Sequence, residues 1–426
     1  MRRIVSILLC LSALMFITGC RKSVSADWNA GAADADFAAA QALSQDVSVH
    51  EKGVFFLDGG LLNYYDYESD QSFVLCSKPN CTHTGKDCVA HAGSDARGFA
   101  MYGDYAYYFR PVEDSLCWEL VRVDIQNQTS TVVTTLGNPQ AELDAWSISE
   151  VQSVYYSSGY AWVKLKMLLN PSEPTGWTDN GSQMIGVDLA SGQIYTLTEP
   201  LMDNRDCTSI FWFCFDDGRA AYVQMRYDPV YMTQQEFDRS DKAASQSYSE
   251  YLSEYTAQHP TLNSCWVIDT EDMTPTCVTE SQETDLPAWF SNGQLVMLCL
   301  NSDAKGESYL PVNADGTYSQ SLFTIPNGGA LGWYHGEAGL RLYNGDSLLY
   351  LTYIDPDRCN IYLHNLETGE NTFLFEDDAG VSFRIVGQTS DKLVGMVNES
   401  SQFAWIYKAD YEAGKMDAMH KFSLLS

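Results

Sequence analysis

Two turn signals alternate along most of this chain, and their recurrence is the feature that most constrains its fold. The first is a short turn containing Gly, Asn or Asp, followed by an aromatic-rich strand. It marks seven segments, at 51–57, 102–109, 157–165, 216–225, 291–300, 343–353 and 389–397. The second is an apolar strand that ends near Asp or Asn, then a polar turn and another strand. It also appears seven times, at 64–75, 123–133, 187–197, 268–278, 312–323, 364–375 and 408–419.

The spacing of the second turn indicates the architecture. Its Asp or Asn residues are separated by 58, 64, 81, 44, 52 and 45 residues. Intervals of about 45–55 residues with one lengthened member are typical of propeller blades, in which each repeat contributes four antiparallel strands. We therefore predict an all-β fold, a single β-propeller over residues 46–426 with seven four-stranded blades. Six or eight blades would also fit, because boundaries read from one sequence are imprecise.

In this arrangement the first turn joins strands one and two of a blade, and the second joins strands three and four. The alternative is a β-sandwich or two smaller β domains. No proline-rich linker divides residues 46–426, which favours one domain.

The longest interval contains a segment that is not strand-like. Residues 229–260 begin and end near Pro229 and Pro260, and between them apolar residues recur at helical spacing, namely Ala244, Tyr248, Tyr251, Leu252 and Tyr255. This pattern predicts one amphipathic helix, inserted in blade four. Excursions of this kind often carry function. The alternative is that the tyrosine stripe packs against the side of the propeller.

The first 45 residues predict export and anchoring. Residues 1–19 start with a basic pair and continue into an apolar run, Ile4 to Ile17, that is shorter than the roughly 20 residues needed to span a bilayer. The run ends at Cys20 in a pattern that resembles the lipobox of bacterial lipoproteins. We expect a cleaved signal peptide, a Cys20 that carries acyl chains such as palmitate, and a flexible tether over 20–45. An ordinary secretory signal with a coincidental cysteine is the alternative.

The charge of the chain narrows the classes of partner. The formal net charge is −31, and removal of residues 1–19 takes away Arg2 and Arg3, which moves it to −33. Such a surface repels nucleic acid and anionic lipid, so we expect no nucleic-acid partner. Solubility outside the cell is a sufficient reason for this charge.

A cluster of cysteine and histidine follows the last strand of the first predicted blade. Cys76, Cys81, His83, Cys88 and His91 have the spacing C-x4-C-x-H-x4-C-x2-H. Thiolate and imidazole are the ligands that a tetrahedral zinc ion prefers. We predict a closed structural zinc site of the first four residues, with His91 as an alternative ligand or as a hydrogen-bond partner of a ligand.

A disulfide between two of the three cysteines is the competing interpretation of this loop. Export favours it, because disulfides form outside the cytosol. The odd number of cysteines argues mildly against it. Both alternatives remain open from the residues alone.

The segment at 53–91 also resembles part of a known group of proteins. GVFFLDGGLLNYYDYESDQSFVLCSKPNCTHTGKDCVAH is similar to the opening blade of uncharacterised β-propeller lipoproteins of Gram-positive anaerobes, which carry an LC-x4-C-x-H-x4-C motif after that blade. The resemblance implies a location on the outer face of a Gram-positive cell membrane. It also implies that Cys76, Cys81, His83 and Cys88 act as a unit. It implies no activity.

The other cysteines give weaker signals. Cys265 and Cys277 flank a predicted turn at nearly equal distances, so they are a candidate cross-strand disulfide, with two buried thiols as the alternative. A bridge between Cys207 and Cys214 is a further option. Three others fall in strand patterns and are expected to be small core residues, namely Cys117, Cys299 and Cys359.

The sequence names no reaction. It contains no nucleophile elbow, zinc-protease pair, phosphate-binding loop or EF-hand loop. We predict a cell-surface propeller that binds or scaffolds, with a glycan, peptide or envelope protein as ligand. The alternative is an extracellular enzyme acting on carbohydrate or peptide, with carboxylates at the channel mouth, since 56 acidic residues offer many pairs. A role in assembling other exported proteins rests on analogy alone.

Overall fold

The chain is a seven-bladed β-propeller, as the turn spacing predicts. The computed structural model describes residues 47–423 with gaps at 86, 138–145, 170–179, 203–208, 217, 228–230, 233, 260, 282–284, 292, 301–305, 327–328, 332–342, 356–357, 379–382 and 398–401. The predicted signal peptide (1–19), the tether (20–45) and the acylated Cys20 lie outside the described residues. The seven sheets follow one another in chain order, and all their strands are antiparallel.

The first four blades contain the lengthened repeat. Blade one is β1 (Val47–His50), β2 (Gly53–Asp58), β3 (Leu61–Asp66) and β4 (Gln71–Val74). Blade two is β5 (Arg97–Tyr102), β6 (Tyr105–Pro111), β7 (Trp118–Asp124) and β8 (Thr129–Leu136). Blade three is β9 (Trp146–Ser157), β10 (Tyr160–Leu169), β11 (Asn180–Asp188) and β12 (Ile194–Thr196), with β13 (Leu201–Met202) also paired to β11. Blade four is β14 (Ser209–Asp216), β15 (Arg219–Tyr227), β16 (Thr261–Asp269) and β17 (Pro275–Ser281).

The last three blades contain four strands each. Blade five is β18 (Leu286–Ser291), β19 (Gln294–Leu300), β20 (Gly306–Pro311) and β21 (Phe323–Pro326). Blade six is β22 (Gly329–Leu331), β23 (Ser347–Asp355), β24 (Arg358–Asn365) and β25 (Asn371–Asp378). Blade seven is β26 (Phe383–Gln388), β27 (Lys392–Val397), β28 (Gln402–Tyr407) and β29 (His420–Ser423).

Helical structure is confined to two places in the described part of the chain. Between β15 and β16 lie α1 (Gln234–Asp238), a 3₁₀ turn (Asp241–Ala244) and α2 (Tyr248–Gln258), which confirms a helical insertion in blade four. Between β28 and β29 lie α3 (Lys408–Glu412) and a 3₁₀ turn (Met416–Ala418). None of the helices in the described ranges has the length and apolar character that a membrane crossing requires.

The repeated Asp or Asn of the second turn acts by closing that turn. The Asp124 carboxylate accepts the backbone N–H of Asn127 at 2.8 Å, and the Asp188 carboxylate accepts that of Ala190 at 2.8 Å. The equivalent oxygens of three other blades do the same, namely those of Asp66, Asp269 and Asn365. A short acceptor side chain that bonds the backbone two or three residues ahead stabilises a tight turn. This local chemistry is why the repeat is visible in the sequence.

Blade seven departs from the pattern. The sequence predicts a strand–turn–strand segment at 408–419, but α3 and the following 3₁₀ turn occupy it. Asp410 is part of α3, and its carboxylate accepts from Lys415 Nζ at 2.8 Å. The Asp at the repeat position therefore serves a helical connection instead of a hairpin.

All first turns lie at one end of the propeller, which we call the turn face. Hydrogen bonds link these turns between neighbouring blades. The Gly159 N–H donates to the Tyr102 hydroxyl at 2.7 Å, and the Gly218 N–H donates to Ser158 Oγ at 2.7 Å. The Ser390 N–H donates to Glu51 Oε1 at 2.7 Å, which joins blade seven to blade one.

At the opposite end, the connection face, each second strand ends, each third strand begins and each fourth strand ends. In a four-stranded meander these strand ends all share one end. Val47 at the start of β1 and Ser423 at the end of β29 lie there as well.

The core of the molecule lies between the blades. Side chains of one sheet pack on those of the next, as for Tyr156 of blade three on Tyr107 of blade two, with ring centroids 5.7 Å apart. Tyr155 on the other face of the same strand packs on Phe215 of blade four at 5.1 Å. Successive strand residues point to opposite faces, so each blade shares apolar contacts with both neighbours.

Closure of the ring depends on contacts between side chains of blades seven and one. Among the described residues each blade is built from consecutive strands, and no strand is exchanged between blades. Phe422 stacks on Tyr65 with centroids 4.1 Å apart, and Trp405 Nε1 donates to the Tyr65 hydroxyl at 3.2 Å. A Cβ on Gly387 would lie 2.6 Å from Val49 Cγ2, so the two inner strands approach as closely as glycine allows.

We predict that Phe422→Ala lowers the free energy of unfolding by about 3–5 kcal/mol, the usual cost of deleting a buried aromatic ring. Phe422 is 5% exposed at the closing contact, whereas Phe373, on the outer strand of blade six, is 54% exposed. Phe373→Ala is therefore the matched control, with an expected loss below about 1 kcal/mol. Urea unfolding followed by tryptophan fluorescence gives both values. Equal losses in the two variants would show that closure does not depend on this ring.

Candidate functional site

The cysteine–histidine cluster lies on the connection face, in the link from β4 to β5. Two tight turns fold the link, with the Cys81 N–H donating to the Lys78 carbonyl at 3.3 Å and the Cys88 N–H to the Gly85 carbonyl at 2.9 Å. Asn80 and His83 have φ of 58° and 59°, a left-handed conformation that lets the chain reverse within a few residues. The local fold therefore brings together residues that are up to twelve positions apart.

The four predicted ligands converge. The Sγ atoms of Cys76, Cys81 and Cys88 and a ring nitrogen of His83 all lie within 4.8 Å of one another. His83 Nδ1 is 3.4 Å from Cys88 Sγ. Around a tetrahedral zinc ion, ordinary bond lengths put two sulfurs about 3.8 Å apart and a sulfur and a nitrogen about 3.6 Å apart. The cluster could therefore hold a metal ion after a contraction of about 1 Å at most.

The thiols of the cluster differ in pKa. A hydrogen bond from the His83 backbone lowers the pKa of Cys81, and contacts with the other two thiols add to this effect. Burial raises the pKa of Cys88 to about 12. Metal ions bind thiolate, so binding at this cluster has to displace the Cys88 proton as well as that of the more acidic Cys81.

The loop is tied to both blades that it connects. On blade one, the Leu62 N–H donates to the Ala90 carbonyl at 2.8 Å and the Ala92 N–H to the Gly60 carbonyl at 2.8 Å. On blade two, Gln128 Oε1 accepts the Ser77 N–H at 2.9 Å. Cys88 is buried with Val89 and Ala90 in the apolar cluster shared by the two blades. Within the loop, Lys78 Nζ donates to the Asp87 carbonyl.

His91, predicted as an alternative ligand, is not among the converging groups. It forms an isolated bridge with Leu61, and its Nδ1 is buried without a hydrogen-bond partner. The hydrogen bond from Ser77 to Gln128 is not predicted by the sequence. Gln128 lies 51 residues away, in the second turn of blade two, and nothing in the spacing of the cluster points to it.

The predicted disulfide between Cys265 and Cys277 is not formed in the structure, where both are free thiols. Cys265 lies opposite Thr279 and Cys277 lies opposite Trp266, because a bulge shifts the register between them. Cys265 is buried and Cys277 is exposed. Cys207 lies outside the described residues. The prediction of buried positions is confirmed for Cys117, Cys299 and Cys359.

The helical insertion of blade four has an apolar core of its own. Tyr231, Phe237 and Tyr251 are buried together, and Tyr248 and Tyr255 pack around them. The stripe of α2 therefore packs on the preceding half of the insertion, and Tyr255 also contacts Tyr227 at the end of β15, with ring centroids 6.2 Å apart.

Hydrogen bonds hold the two halves of the insertion together. The Met232 N–H donates to the Tyr251 hydroxyl at 3.0 Å, and the Tyr248 hydroxyl donates to the Met232 carbonyl at 3.0 Å. Ser247 and Glu250 form a capping box at the start of α2, so Ala244 of the predicted stripe precedes the helix.

Comparisons with known proteins give likeness of fold only. No family model matches the sequence, and none of the curated proteins matches it. Among solved structures, an oligogalacturonate lyase from Vibrio parahaemolyticus is similar, with 13% identity, 75% of this chain and 74% of that chain covered, and a TM-score of 0.41. TolB from Acinetobacter baumannii has 11% identity, covers 80% and 64%, and has a TM-score of 0.32. The WD40 domain of SCAP from fission yeast has 10% identity, covers 90% and 87%, and has a TM-score of 0.38.

We expect metal-free protein to bind one equivalent of Co²⁺ with the absorption of a tetrahedral thiolate complex, because three sulfurs and one nitrogen converge here. Cys81→Ser and His83→Ala should each weaken binding at least tenfold, since each removes one of four ligands. His91→Ala is the matched control and should bind as the wild type does. A titration without thiolate-to-cobalt absorption would contradict the site, and loss of binding in His91→Ala would contradict the choice of ligands.

Proposed function

We propose that the chain is a surface lipoprotein whose propeller binds or scaffolds a glycan, a peptide or an envelope protein. The observation that carries this proposal is the helical insertion, a unit with its own core on the connection face of an otherwise regular ring. Loops that interrupt a rigid β scaffold are where binding residues concentrate. The negative net charge of −31 favours neutral or cationic ligands over anionic ones.

The cysteine–histidine cluster is best suited to a structural zinc ion. Three thiolates and one imidazole are a ligand set typical of zinc, and they fill all four tetrahedral positions. A catalytic zinc ion needs an open position for water, which this set does not leave. The proposed role of the ion is to hold the link between blades one and two in its folded shape.

The position of Val47, the first described residue, supports the anchoring proposal. The chain enters the propeller at Val47 on the connection face, so a lipid anchor at Cys20 would hold this face toward the membrane. The cysteine–histidine cluster and the insertion lie on the same face. A ligand bound there would lie between the propeller and the cell envelope, which favours envelope components.

An extracellular enzyme is the second candidate, and Glu307 is the observation relevant to it. Burial raises the pKa of Glu307, and the Tyr309 hydroxyl donates to its carboxylate at 3.1 Å. It is the one carboxyl group with a clearly raised pKa in the described ranges; the resolved shifts of Asp124, Asp315 and Asp391 are downward. Glycoside hydrolysis ordinarily uses a pair of carboxyl groups, so the described residues favour the binding proposal.

Anchoring predicts that wild-type protein expressed with its own leader in a bacterial host enters the detergent phase on partition in Triton X-114. Two acyl chains give stable membrane attachment, which one chain does not. Cys20→Ala should move the protein into the aqueous phase. Cys10→Ala, which changes the other cysteine of the leader, is the control and should behave as the wild type does. Wild-type protein in the aqueous phase would contradict the anchor.

Ligand binding is predicted to depend on the insertion. A screen of soluble peptidoglycan fragments and neutral glycans should give binding by the wild type and at least a tenfold loss when residues 228–260 are replaced by a short Asn-Gly turn. Tyr227 and Thr261 face each other at the base of the insertion, so the hairpin can close there. The shortened protein should keep the thermal midpoint of the propeller, because the core of the insertion is separate from the cores between the blades.

The two outcomes that oppose this proposal differ. Full binding by the shortened protein would remove the insertion from the binding site. Binding by neither protein would contradict the proposal that the propeller recognises envelope glycans. Phe373→Ala, an exposed aromatic substitution outside the insertion, serves as the control for general surface effects.

A further inference from the structure

The cluster contains three thiols, and this sets it apart from a zinc site built mainly of histidine. All three Sγ atoms lie within 4.8 Å of one another, whereas a disulfide bond is about 2.05 Å long. A movement of under about 3 Å within one loop would therefore bring two of them into bonding distance. Metal binding and disulfide formation compete for the same atoms.

The three thiols differ in their access to solvent. Cys88 is buried, whereas Cys76 and Cys81 are half-buried. The neighbours of Cys81 in the chain, Asn80 and Thr82, are both exposed. A small oxidant from solvent therefore meets Cys76 and Cys81 first. These two residues are also the closer pair in sequence, separated by a four-residue turn.

We propose that the loop is a peroxide-responsive switch, in which oxidation joins Cys76 to Cys81 and releases the metal ion. The inference rests on the zinc site proposed above. After oxidation, Cys88 and His83 remain as ligands. Two ligands in place of four hold zinc far more weakly, so the ion leaves.

The chemistry balances with a hydroperoxide as oxidant. The Cys81 thiolate attacks one oxygen of hydrogen peroxide, which forms a sulfenic acid and releases hydroxide as the O–O bond breaks. The Cys76 thiolate then attacks the Cys81 sulfur, forms the S–S bond and displaces a second hydroxide. Two thiolates lose two electrons in total, and the peroxide gains them. A dithiol reductant reverses the change by thiol–disulfide exchange.

The contacts around the cluster indicate which parts of the protein oxidation would alter. Ser77, adjacent to Cys76, donates its N–H to Gln128 in blade two. A bond between Cys76 and Cys81 pulls on Ser77, next to Cys76, and ends the metal-mediated connection of Cys76 and Cys81 with Cys88. Val89 and Ala90 are buried inside the apolar cluster of the two blades, whereas Cys76 and Cys81 are only partly buried and pack against its edge. Oxidation therefore loosens the tip of the loop and leaves the blades folded.

The test uses the zinc-loaded full-length protein and a small excess of hydrogen peroxide. Zinc release is followed with a chromogenic chelator, and the thiols are mapped by mass spectrometry of peptides. The expected result is one zinc ion released per chain, with a disulfide between Cys76 and Cys81. Far-UV circular dichroism should not change. Dithiothreitol and zinc should restore the starting state. Cys277→Ser, which removes the exposed thiol outside the cluster, should respond as the wild type does.

Each other result has a definite meaning. Zinc that stays bound under peroxide sufficient to oxidise Cys277 would overturn the switch and leave the zinc site intact. Zinc that leaves only as the circular dichroism of the folded protein is lost would also overturn it. A protein that contains no zinc and takes up none would overturn the zinc site itself, and the switch with it. A disulfide between Cys81 and Cys88 would overturn the proposed pairing.

Discussion

Packing between neighbouring sheets is the interaction on which the rest of this structure depends. A single four-stranded meander has two faces and cannot bury both by itself. Here each sheet covers the faces of its two neighbours, and the last sheet must meet the first for the series to close. Because every blade consists of consecutive strands, no strand in the described part of the chain is shared between the last blade and the first. Closure therefore depends on side-chain contacts: the stack of Phe422 on Tyr65 and the close approach of Gly387 to Val49. The hydrogen bond from Ser390 to Glu51 adds to them.

The difference between local turn chemistry and packing between blades explains how much of the fold could be predicted. The turn chemistry is local, since an Asp or Asn oxygen bonds the backbone two or three residues ahead, and local chemistry leaves a mark in the sequence. The number of blades and the position of the insertion followed from it. Packing between blades is not local. The helix at 408–412 replaced a predicted hairpin although Asp410 stands at the repeat position, so one turn residue does not decide the conformation without its surroundings.

The features of the candidate site also divide into local ones, which could be predicted, and non-local ones, which could not. The convergence of Cys76, Cys81, His83 and Cys88 could be predicted, because tight turns in a short loop bring such ligands together. The exclusion of His91 could not, since it depends on the bridge to Leu61 in a strand of blade one. The register of Cys265 and Cys277 depends on a bulge that composition does not reveal. The tyrosines of α2 had the predicted spacing, but their partners lie in the preceding part of the insertion.

The position of the cluster has a consequence for the whole ring. The link from β4 to β5 is long, running over 75–96, and apart from Leu75 its buried described residues all lie in its second half, at 88–90, 92 and 96. A long link costs conformational entropy when it is ordered. Contacts at both ends offset part of this cost, through the hydrogen bond of Ala90 with Leu62 of blade one and that of Ser77 with Gln128 of blade two. A metal ion bound to the cluster would fix the first half of the link, which the short apolar segment Val89–Ala90 does not reach. Such an ion would fix the link on the face where the insertion, the start of β1 and the end of β29 lie, and its loss would make that link less stiff.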